Sequence, residues 1–414
     1  MKNNILVILH TDYQRSQYHE GIDHLKYDVY YFGTESMLKT VPHSLPHQNI
    51  IYDESQDLAF SIIYEVNKLN IKFNFIVANS ELTLLPAAIA REKLGIAGNL
   101  PDQVNKVINK VIMKNCIKNS GLKYPAFIEA KEFLAQLPKS TKMFKKIKIV
   151  LKPITGSGSE GIQFFNTVTT LTTYLKLEKI NINEYEIEEY IDGNIYHIDA
   201  LINDSKIVDY VPSQYLRTCS DFAKGIPFGS FQLQKSAIFN DILLKTIQAL
   251  NITFGPVHLE LIKSTLDNEF YFLEVANRTG GAEIRPLFSK KTGINLSASE
   301  CSLQIGQSII YNETAEKDLF FAFFQFPGHH LNFDYCNVIG IEKWLTHPNL
   351  LYLTKLAEDK KLSKSITYRP DKIPISGTLV ANSPLKLENV LMQILVDKTI
   401  QVVPKATETT YAIK

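Results

Sequence analysis

Two apolar runs that flank a short polar turn constrain the fold of this chain more than any other feature of its sequence. Residues 257–263 read VHLELIK and residues 270–276 read FYFLEVA, so both runs are rich in β-branched, aromatic and other apolar side chains. Between them lie Asp267 and Asn268, two residue types that favour turns. Together these segments predict an antiparallel β-hairpin.

The register of this hairpin decides which side chains face each other. A turn centred on Asp267 places Glu260 opposite Glu274. Because side chains alternate between faces, His258 and Ala276 share the face of the two carboxylates. Opposed carboxylates repel and cost stability unless a cation lies between them. A register shifted by one residue, or a solvated acidic pair, would remove the conflict, and the hairpin alone leaves both alternatives open.

Short buried strands alternate with helical stretches in the first quarter of the chain. The strands are ILVIL (5–9), DVYYF (28–32) and FNFIVA (73–78), and the helical stretches include AFSIIYEVNKLN (59–70) and TLLPAAIAREKLG (83–95). This alternation predicts a mainly parallel sheet with helices on both faces. No G-x-G-x-x-G follows the first strand, so the fingerprint of a dinucleotide site is missing.

A basic stripe follows. Residues 103–127 predict one helix that ends at Gly121, and Lys106, Lys110 and Lys114 lie four residues apart on one of its faces. By itself this pattern indicates a solvated basic face.

A glycine-rich loop between two predicted strands is more informative. The strand IKIVLK presents Lys152, the loop TGSGSEG spans residues 155–161, and the strand IQFF follows. The loop glycines permit positive φ and leave backbone N–H groups unshielded, as a loop that folds over phosphates requires. It is not a Walker A loop, because no G-K-[ST] leads into a helix. A flexible turn is the alternative.

The rest of the chain is predicted in less detail. Residues 184–211 predict a strand, a kink at 192–193 and a hairpin that turns at 203–204. Residues 212–232 show no clear periodicity and predict a long loop, a kind of segment that is often functional.

Composition excludes several classes of protein. The chain has 414 residues, 45% of them hydrophobic, which suits two to four domains. Its net charge of +1 points to neither nucleic acid nor an anionic membrane. No segment approaches the roughly 18 apolar residues that a membrane span needs. The four cysteines form no C-x-x-C pair, which favours free thiols in a reducing cytoplasm. We therefore expect a soluble, cytoplasmic protein.

Taken in order, several segments resemble the ATP-grasp superfamily over about residues 75–310. The matching segments are SE (80–81), NKVIMK (109–114), IVLKPITGSGSEGI (149–162), EEYIDGNIYHID (188–199), GPVHLEL (255–261) and FLEVANRTGG (272–281). Within the superfamily the chain looks most like the L-amino-acid (dipeptide) ligases of the bacilysin-synthetase kind. His258 in G-x-x-H-x-E and the pattern E-x-x-x-R-x-G-G from Glu274 carry this closer resemblance.

The resemblance implies a multidomain protein of mixed α/β and α+β class with ATP-grasp architecture. We expect an N-terminal parallel α/β domain (1–105), a lid subdomain (106–190), a catalytic subdomain built on an antiparallel sheet (191–310) and a C-terminal α+β subdomain that completes it (311–414).

The resemblance also implies a nucleotide site. Lys110 and Lys152 would contact the phosphates of ATP, and Lys152 would also be catalytic. Other residues would close over the phosphates or meet the adenine edge: Gly156, Ser157 and Gly158 for the phosphates, and Glu188, Glu189 and Ile191 for adenine.

A metal site is implied at the hairpin. Glu260 and Glu274 would hold Mg²⁺, with Mn²⁺ as a substitute, and the cation would relieve their repulsion. Many relatives carry Asn where this chain has Ala276, which leaves the number of metal ions open. Asn277 should point to the opposite face.

The implied reaction joins a small carboxylate to an amine through an acyl phosphate, with ADP and phosphate as products. Arg278 would stabilise the acyl phosphate, and Gly280 and Gly281 would allow close approach of the substrate. His258 would line the acyl pocket, unless it is a core histidine bonded to a carbonyl. Arg285 would pair with a substrate carboxylate, unless it forms a surface salt bridge.

Two other functions stay open at this stage. A biotin-carboxylase-like enzyme would phosphorylate bicarbonate, but such enzymes carry V-E-H just after the arginine, where this chain reads TGGAEI. A non-catalytic ATP-binding scaffold would not need the whole set of charged residues. The expected partners are small-molecule substrates, with no nucleic acid and no membrane, and a homodimer is left open.

Overall fold

The computed structural model describes residues 2–144, 148–156, 158, 160–177, 180–312 and 314–405. Its strands are, in chain order, β1 Asn4–Leu9, β2 Asp28–Gly33, β3 Gln48–Ile51, β4 Phe75–Val77, β5 Phe127–Glu129, β6 Ile149–Pro153, β7 Gln163–Phe165, β8 Tyr185–Glu189, β9 Gly193–Asn203, β10 Lys206–Leu216, β11 Phe228–Gln232, β12 Gly255–Ser264, β13 Phe270–Ala276, β14 Phe320–Phe326, β15 Cys336–Ile339, β16 Leu350–Lys355, β17 Ile375–Ala381 and β18 Gln401–Pro404.

The α-helices alternate with these strands in the first half of the chain and cover the sheets in the second. They are α1 Tyr13–Ser16, α2 Glu35–Leu38, α3 Leu58–Leu69, α4 Glu81–Leu94, α5 Pro101–Ile108, α6 Lys110–Ile117, α7 Ala130–Ala135, α8 Leu137–Met143, α9 Val168–Leu177, α10 Cys219–Ala223, α11 Ala237–Leu250, α12 Ile284–Thr292, α13 Leu296–Gln304, α14 Glu342–Leu345 and α15 Pro384–Val396. No helix in the described ranges is both long enough and apolar enough to cross a membrane.

The N-terminal sheet is parallel, as the alternation of strands and helices predicts. Its order is β3-β2-β1-β4, and alternate residues of β1 enter two different cores, with Ile5 and Val7 on one side and Leu6 and Ile8 on the other. The chain runs outward from β1 to β3 and returns to the other side of β1 with β4. The loops after β1 and β4 therefore flank a topological switch point, where open α/β sheets bind ligands.

A large antiparallel sheet forms the centre of the molecule. Its order is β13-β12-β9-β10-β11-β14-β17-β16, so the last three strands come from the chain after residue 311. Helices α6 and α11 pack on β9 and β12, where Leu259 and Leu261 lie in the shared core. Helix α15 packs on β11, β14 and β17.

A smaller antiparallel sheet lies over one edge of the large sheet. Its order is β5-β8-β6-β7, and helices α7 and α9 enclose a core around Ile149, Leu151 and Ile187. The glycine-rich loop joins β6 to β7, which are antiparallel neighbours as predicted.

The predicted hairpin is formed by β12 and β13 in the expected register. Glu260 faces Glu274 and His258 faces Ala276. A β-bulge after Glu260 shifts the pairing, so that Leu261 faces Phe272. The one-residue shift that the sequence left open therefore exists, but only on the turn side of the two carboxylates.

Two sequence predictions are wrong. Residues 103–127 contain two helices instead of one, because the Asn109 side chain accepts hydrogen bonds from the N–H groups of Val111 and Ile112 and so caps a new helix. Residues 212–232 are not a long loop, since they hold the end of β10, the short helix α10 and β11.

Candidate active site

Two adjoining cavities lie where the three sheets meet. The first, about 540 Å³, opens between the small sheet and the β12–β13 hairpin. The second, about 380 Å³, opens between the hairpin and the loops after β1 and β4. Glu260, Glu274, Tyr215 and Cys219 line both cavities, so the paired carboxylates lie at the junction.

A buried cluster of two lysines and two glutamates lies behind the first cavity. Lys114 Nζ lies 2.7 Å from Glu186 Oε1 and 2.8 Å from Glu188 Oε2. Lys152 pairs with Glu188 and lies 3.6 Å from Glu186 Oε1. The four formal charges cancel, which permits their burial.

The pKa values of this cluster follow from burial and mutual attraction. Burial alone would lower the pKa of Lys152, but Glu188 and Glu186 outweigh it and raise the pKa above its ordinary value. Burial would raise the pKa of Glu188, and Lys114 and Lys152 lower it instead. The amine of Lys152 is therefore held in its charged form at the wall of the cavity.

Lys110 connects the glycine-rich loop to the hairpin. Its Nζ donates to the Gly156 carbonyl at 2.7 Å and lies 3.4 Å from Glu274 Oε2. Lys110 and Lys114 are both buried, so the solvated basic face that the spacing indicates is wrong for these two residues. The stripe faces inward because α6 packs against the hairpin and the small sheet.

The loop itself has the backbone that its glycines predict. Gly156 has φ 107° and Gly158 has φ 71°, values that only glycine adopts readily. The Tyr368 hydroxyl donates to the Gly158 carbonyl at 3.4 Å. Ser157 lies outside the described residues.

The remaining residues expected at the nucleotide surround the same cavity. Glu188, Glu189 and Ile191 line it, in and just after β8. Lys148 Nζ lies 4.1 Å from the centre of the Tyr190 ring and 5.1 Å from that of Phe164. The two rings lie at 80° to each other and, with the lysine, form a partly apolar wall that offers a ring face to a planar base.

The two carboxylates at the junction fit a hard divalent cation. Glu274 is about a third exposed and Glu260 14% exposed, and both face the cavities. Burial would raise the pKa of Glu274, but Lys110 and Lys152 lower it, so the carboxylate is ionised. Two carboxylates beside open volume are a set of oxygen donors that Mg²⁺ accepts.

A hydrogen-bonded network fixes His258 beside this pair. Asp199 Oδ1 lies 2.7 Å from His258 Nδ1, and Asp199 Oδ2 lies 2.7 Å from His197 Nδ1. His258 Nε2 lies 3.4 Å from Glu260 Oε1. Burial would lower the pKa of His258, but Asp199 and Glu260 raise it to about 10. The partner is thus a carboxylate, and the alternative of a carbonyl-bonded core histidine is wrong.

Arg278 lies across the second cavity from the network. Its Nε and Nη2 donate to Glu81 Oε2 at 2.8 and 2.5 Å, which ties the strand end to the first turn of α4. Gly280 is needed as glycine, because a Cβ there would come within 2.9 Å of Asp199 and His258. A Cβ at Gly281 would meet no atom within 4 Å, so close packing by the protein does not require that glycine.

Arg285 and Asn277 complete the residues named from the sequence. Arg285 Nη1 donates to the Arg15 carbonyl and to Ser297 Oγ, and it pairs with no carboxylate in the described part of the chain. The surface salt bridge considered for Arg285 is therefore wrong. Asn277 donates to the carbonyls of Phe254 and Pro256, away from the carboxylates, as expected.

Several residues of the site with ionisable side chains were missed by the sequence analysis. Among them are Lys114, Glu186, His197 and Asp199. For the last two a signal existed, because His197 and Asp199 are two apart on one strand and share a face. Their register on β12 places His197 opposite Glu260 and Asp199 opposite His258.

A buried acid behind the second cavity gives a stability prediction. Burial raises the pKa of Glu300 to about 8, although Arg285 and Arg278 lower it. In the unfolded chain this carboxyl has its ordinary pKa of about 4.5, so folding above that pH requires proton uptake, and the free-energy cost grows until about pH 8. We expect Glu300→Gln to be more stable than the wild type at pH 8 and nearly equal to it at pH 4.5, as measured by urea unfolding. A constant difference across this range would contradict the assignment.

Comparison with known proteins now gives the class. Residues 107–282 match the family described as the ATP-grasp domain. This match places an ATP-grasp domain within the chain, and the parallel N-terminal sheet and large antiparallel sheet have the ATP-grasp fold.

More particular relatives were found at the levels of sequence and of fold. Over 271 residues the chain is 28% identical to an L-arginine-specific L-amino acid ligase of Bacillus subtilis, a match that covers 62% of this chain and 63% of that ligase. The crystal structure of an L-amino acid ligase from Bacillus licheniformis superimposes with a TM-score of 0.71 and 17% identity, over 98% of this chain and 99% of that one. N5-carboxyaminoimidazole synthetase from Staphylococcus aureus follows the same fold, with a TM-score of 0.67, 16% identity and coverage of 95% and 98%.

Proposed function

We propose that this protein is an ATP-dependent carboxylate–amine ligase that joins amino acids or similar small molecules into an amide through an acyl phosphate. One observation carries the proposal: Glu260 and Glu274 face each other where the two cavities meet. Lysines lie on one side of this pair, and His258 and Arg278 lie on the other. A phosphoryl group held at the junction can therefore pass from one cavity to the other.

ATP is assigned to the first cavity. Lys110 and Lys152 would neutralise the phosphates, and the backbone at Gly156 and Gly158 would cover them. The Lys110 amine already contacts both the loop and Glu274, so it lies within reach of phosphates bound between them. The base would lie near Glu188, Glu189 and Ile191, against the aromatic wall.

Glu260 and Glu274 would hold Mg²⁺, with Mn²⁺ as a substitute. A divalent cation there would screen the charge of the transferring phosphoryl group. The ionised state of Glu274 supports this role, because a metal ligand must be deprotonated.

The second cavity is assigned to the carboxylate and the amine. A carboxylate oxygen attacks the γ-phosphorus and ADP leaves; the amine then attacks the acyl carbon and phosphate leaves. Arg278 is positioned by Glu81 to bind the oxygens that gain charge in both steps. His258, charged and fixed by Asp199, would line the acyl side, with Gly280 and Gly281 beside it.

The products distinguish this reaction from other uses of ATP. With pooled amino acids and Mg²⁺ we expect ADP and phosphate in equal amounts, and one amide for each ATP consumed. Nucleotides are measured by chromatography, and amides by mass spectrometry of the deconvoluted pools. AMP and pyrophosphate would instead show that the carboxylate is adenylated.

The two alternatives give other outcomes in the same assay. A bicarbonate-phosphorylating enzyme would release ADP with bicarbonate and no amine. A scaffold would bind ATP without turnover.

The four thiols, none in a disulfide, fit the cytoplasm that we propose as the location.

A further inference from the structure

Four arginines line the second cavity. They are Arg15, Arg278, Arg285 and Arg369. Arg15 lies in the short helix α1 after β1, and Arg285 lies in the first turn of α12. They are neighbours, since Arg285 Nη1 donates to the Arg15 carbonyl at 2.8 Å.

Two of these four charges are already neutralised. Arg278 is paired with Glu81. Arg369 lies 2.9 Å from Asp12 Oδ2 and 2.7 Å from Asp371 Oδ2. These two arginines contribute little net positive charge to the cavity.

The other two have no carboxylate partner in the described part of the chain. Arg285 bonds only to neutral groups, and the Arg15 guanidinium has no hydrogen-bond or ion-pair partner there. Arg285 is half-buried and Arg15 is exposed. Burial lowers the pKa of Arg285, although Glu300 raises it. Two cations are thus held together beside open volume.

The neighbouring acids offset this charge only in part. Glu300 is buried near Arg285, but a pKa of about 8 leaves it mostly protonated at neutral pH. Glu283 also attracts Arg285. Asp371 attracts Arg15, but its carboxylate is paired with Arg369.

This arrangement costs stability in two ways. The two like charges repel, although water screens the exposed Arg15, and the half-buried Arg285 lies at the positively charged end of a helix dipole. Local conflicts of this kind are expected where a ligand relieves them. The loop after β1 also lies at the topological switch point, where such a ligand is expected.

We infer that Arg15 and Arg285 form a subsite for an anionic group that a substrate carries in addition to its reacting carboxylate. The inference rests on the proposed ligase function and narrows its substrates to acidic or phosphorylated amino acids. This additional anionic group does not react, because the amide forms at the other carboxylate of the substrate. A cationic side chain, as the name of the Bacillus subtilis relative implies for that enzyme, would meet two unpaired arginines here.

Isosteric substrate pairs test the inference. With wild-type protein, L-glutamate should be used better than L-glutamine, and L-aspartate better than L-asparagine, by about tenfold or more in kcat/KM, the range of one charged hydrogen bond. A comparison of kcat/KM for O-phospho-L-serine and L-serine shows whether the subsite binds a phosphate rather than a carboxylate. Amide yield and phosphate release are both measured.

Arg15→Gln is the decisive variant, because that guanidinium has no partner whose loss would disturb the fold. The preference for the anionic member of each pair should fall about tenfold, mainly through KM, while the melting temperature stays equal or rises. Arg15→Lys should keep part of the preference. Lys245→Gln, on the far surface of α11, is a matched control that should change nothing.

The outcomes separate this inference from the proposed function. Amide formation that ignores substrate charge, or a preference that survives Arg15→Gln, overturns the subsite and leaves the ligase intact. If no pair is turned over, calorimetry with L-glutamate and L-glutamine in the presence of ADP and Mg²⁺ decides. Tighter binding of L-glutamate that is lost in Arg15→Gln supports the subsite, and equal or absent binding overturns it.

Discussion

Glu274→Gln should abolish ligation while leaving the protein folded. The amide keeps the size of the carboxylate but removes the charge that faces Glu260 at the junction of the cavities. We expect turnover to fall by about 10²–10³-fold or more, as when one preorganised electrostatic group is removed from an active site. Phosphate release at saturating ATP and Mg²⁺ measures the effect.

Thermal unfolding provides the structural comparison for this variant. The variant relieves repulsion from Glu260 but loses the attraction to Lys110 and Lys152, so the melting temperature in the absence of metal should fall modestly while the transition stays cooperative. Glu269→Gln is the matched control, since it makes the same change at an exposed position in the turn of the same hairpin. Wild-type rates in Glu274→Gln with Mg²⁺ present would refute the metal assignment.

Lys114→Met should have the largest effect on stability. The variant removes one of the two positive charges that balance Glu186 and Glu188, and it leaves a net negative charge in a buried place. Breaking a buried pair in this way typically costs about 3–5 kcal/mol. Urea unfolding, analysed as the change in midpoint at constant slope, measures the loss.

A second substitution tests the cause of that loss. Lys114→Met combined with Glu186→Gln restores the charge balance and should recover part of the stability. Lys118→Met, one turn further along and exposed, is the matched control. If the urea midpoint of Lys114→Met equals that of the wild type, the cluster does not stabilise the fold through its charge.

Local patterns predicted those parts of the fold and site that depend on neighbouring residues. The hairpin register follows from period two and one turn, and the conformations of Gly156 and Gly158 follow from the residue type. The parallel N-terminal sheet follows from alternating strands and helices.

Contacts between segments that are distant along the chain could not be predicted from local patterns. Lys114 meets Glu186 across 72 residues, and Arg278 meets Glu81 across 197. Helical spacing shows that Lys114 shares a face with Lys110, but it does not show whether that face packs against a sheet or meets water. The helix break at Asn109 was missed because the sequence alone does not show whether an asparagine lies inside one helix or caps the start of the next.

Tyr368 and Arg369 form one wall of the second cavity, so this cavity can be completed only late in the synthesis of the chain. Synthesis runs from the N-terminus, and the residues that line the first cavity are complete once Glu274 has been added. The second cavity needs residues up to Arg369. A chain interrupted between these points would carry every residue that lines the first cavity, where we propose that ATP binds, but would lack one side of the second, where we propose that the acyl phosphate reacts.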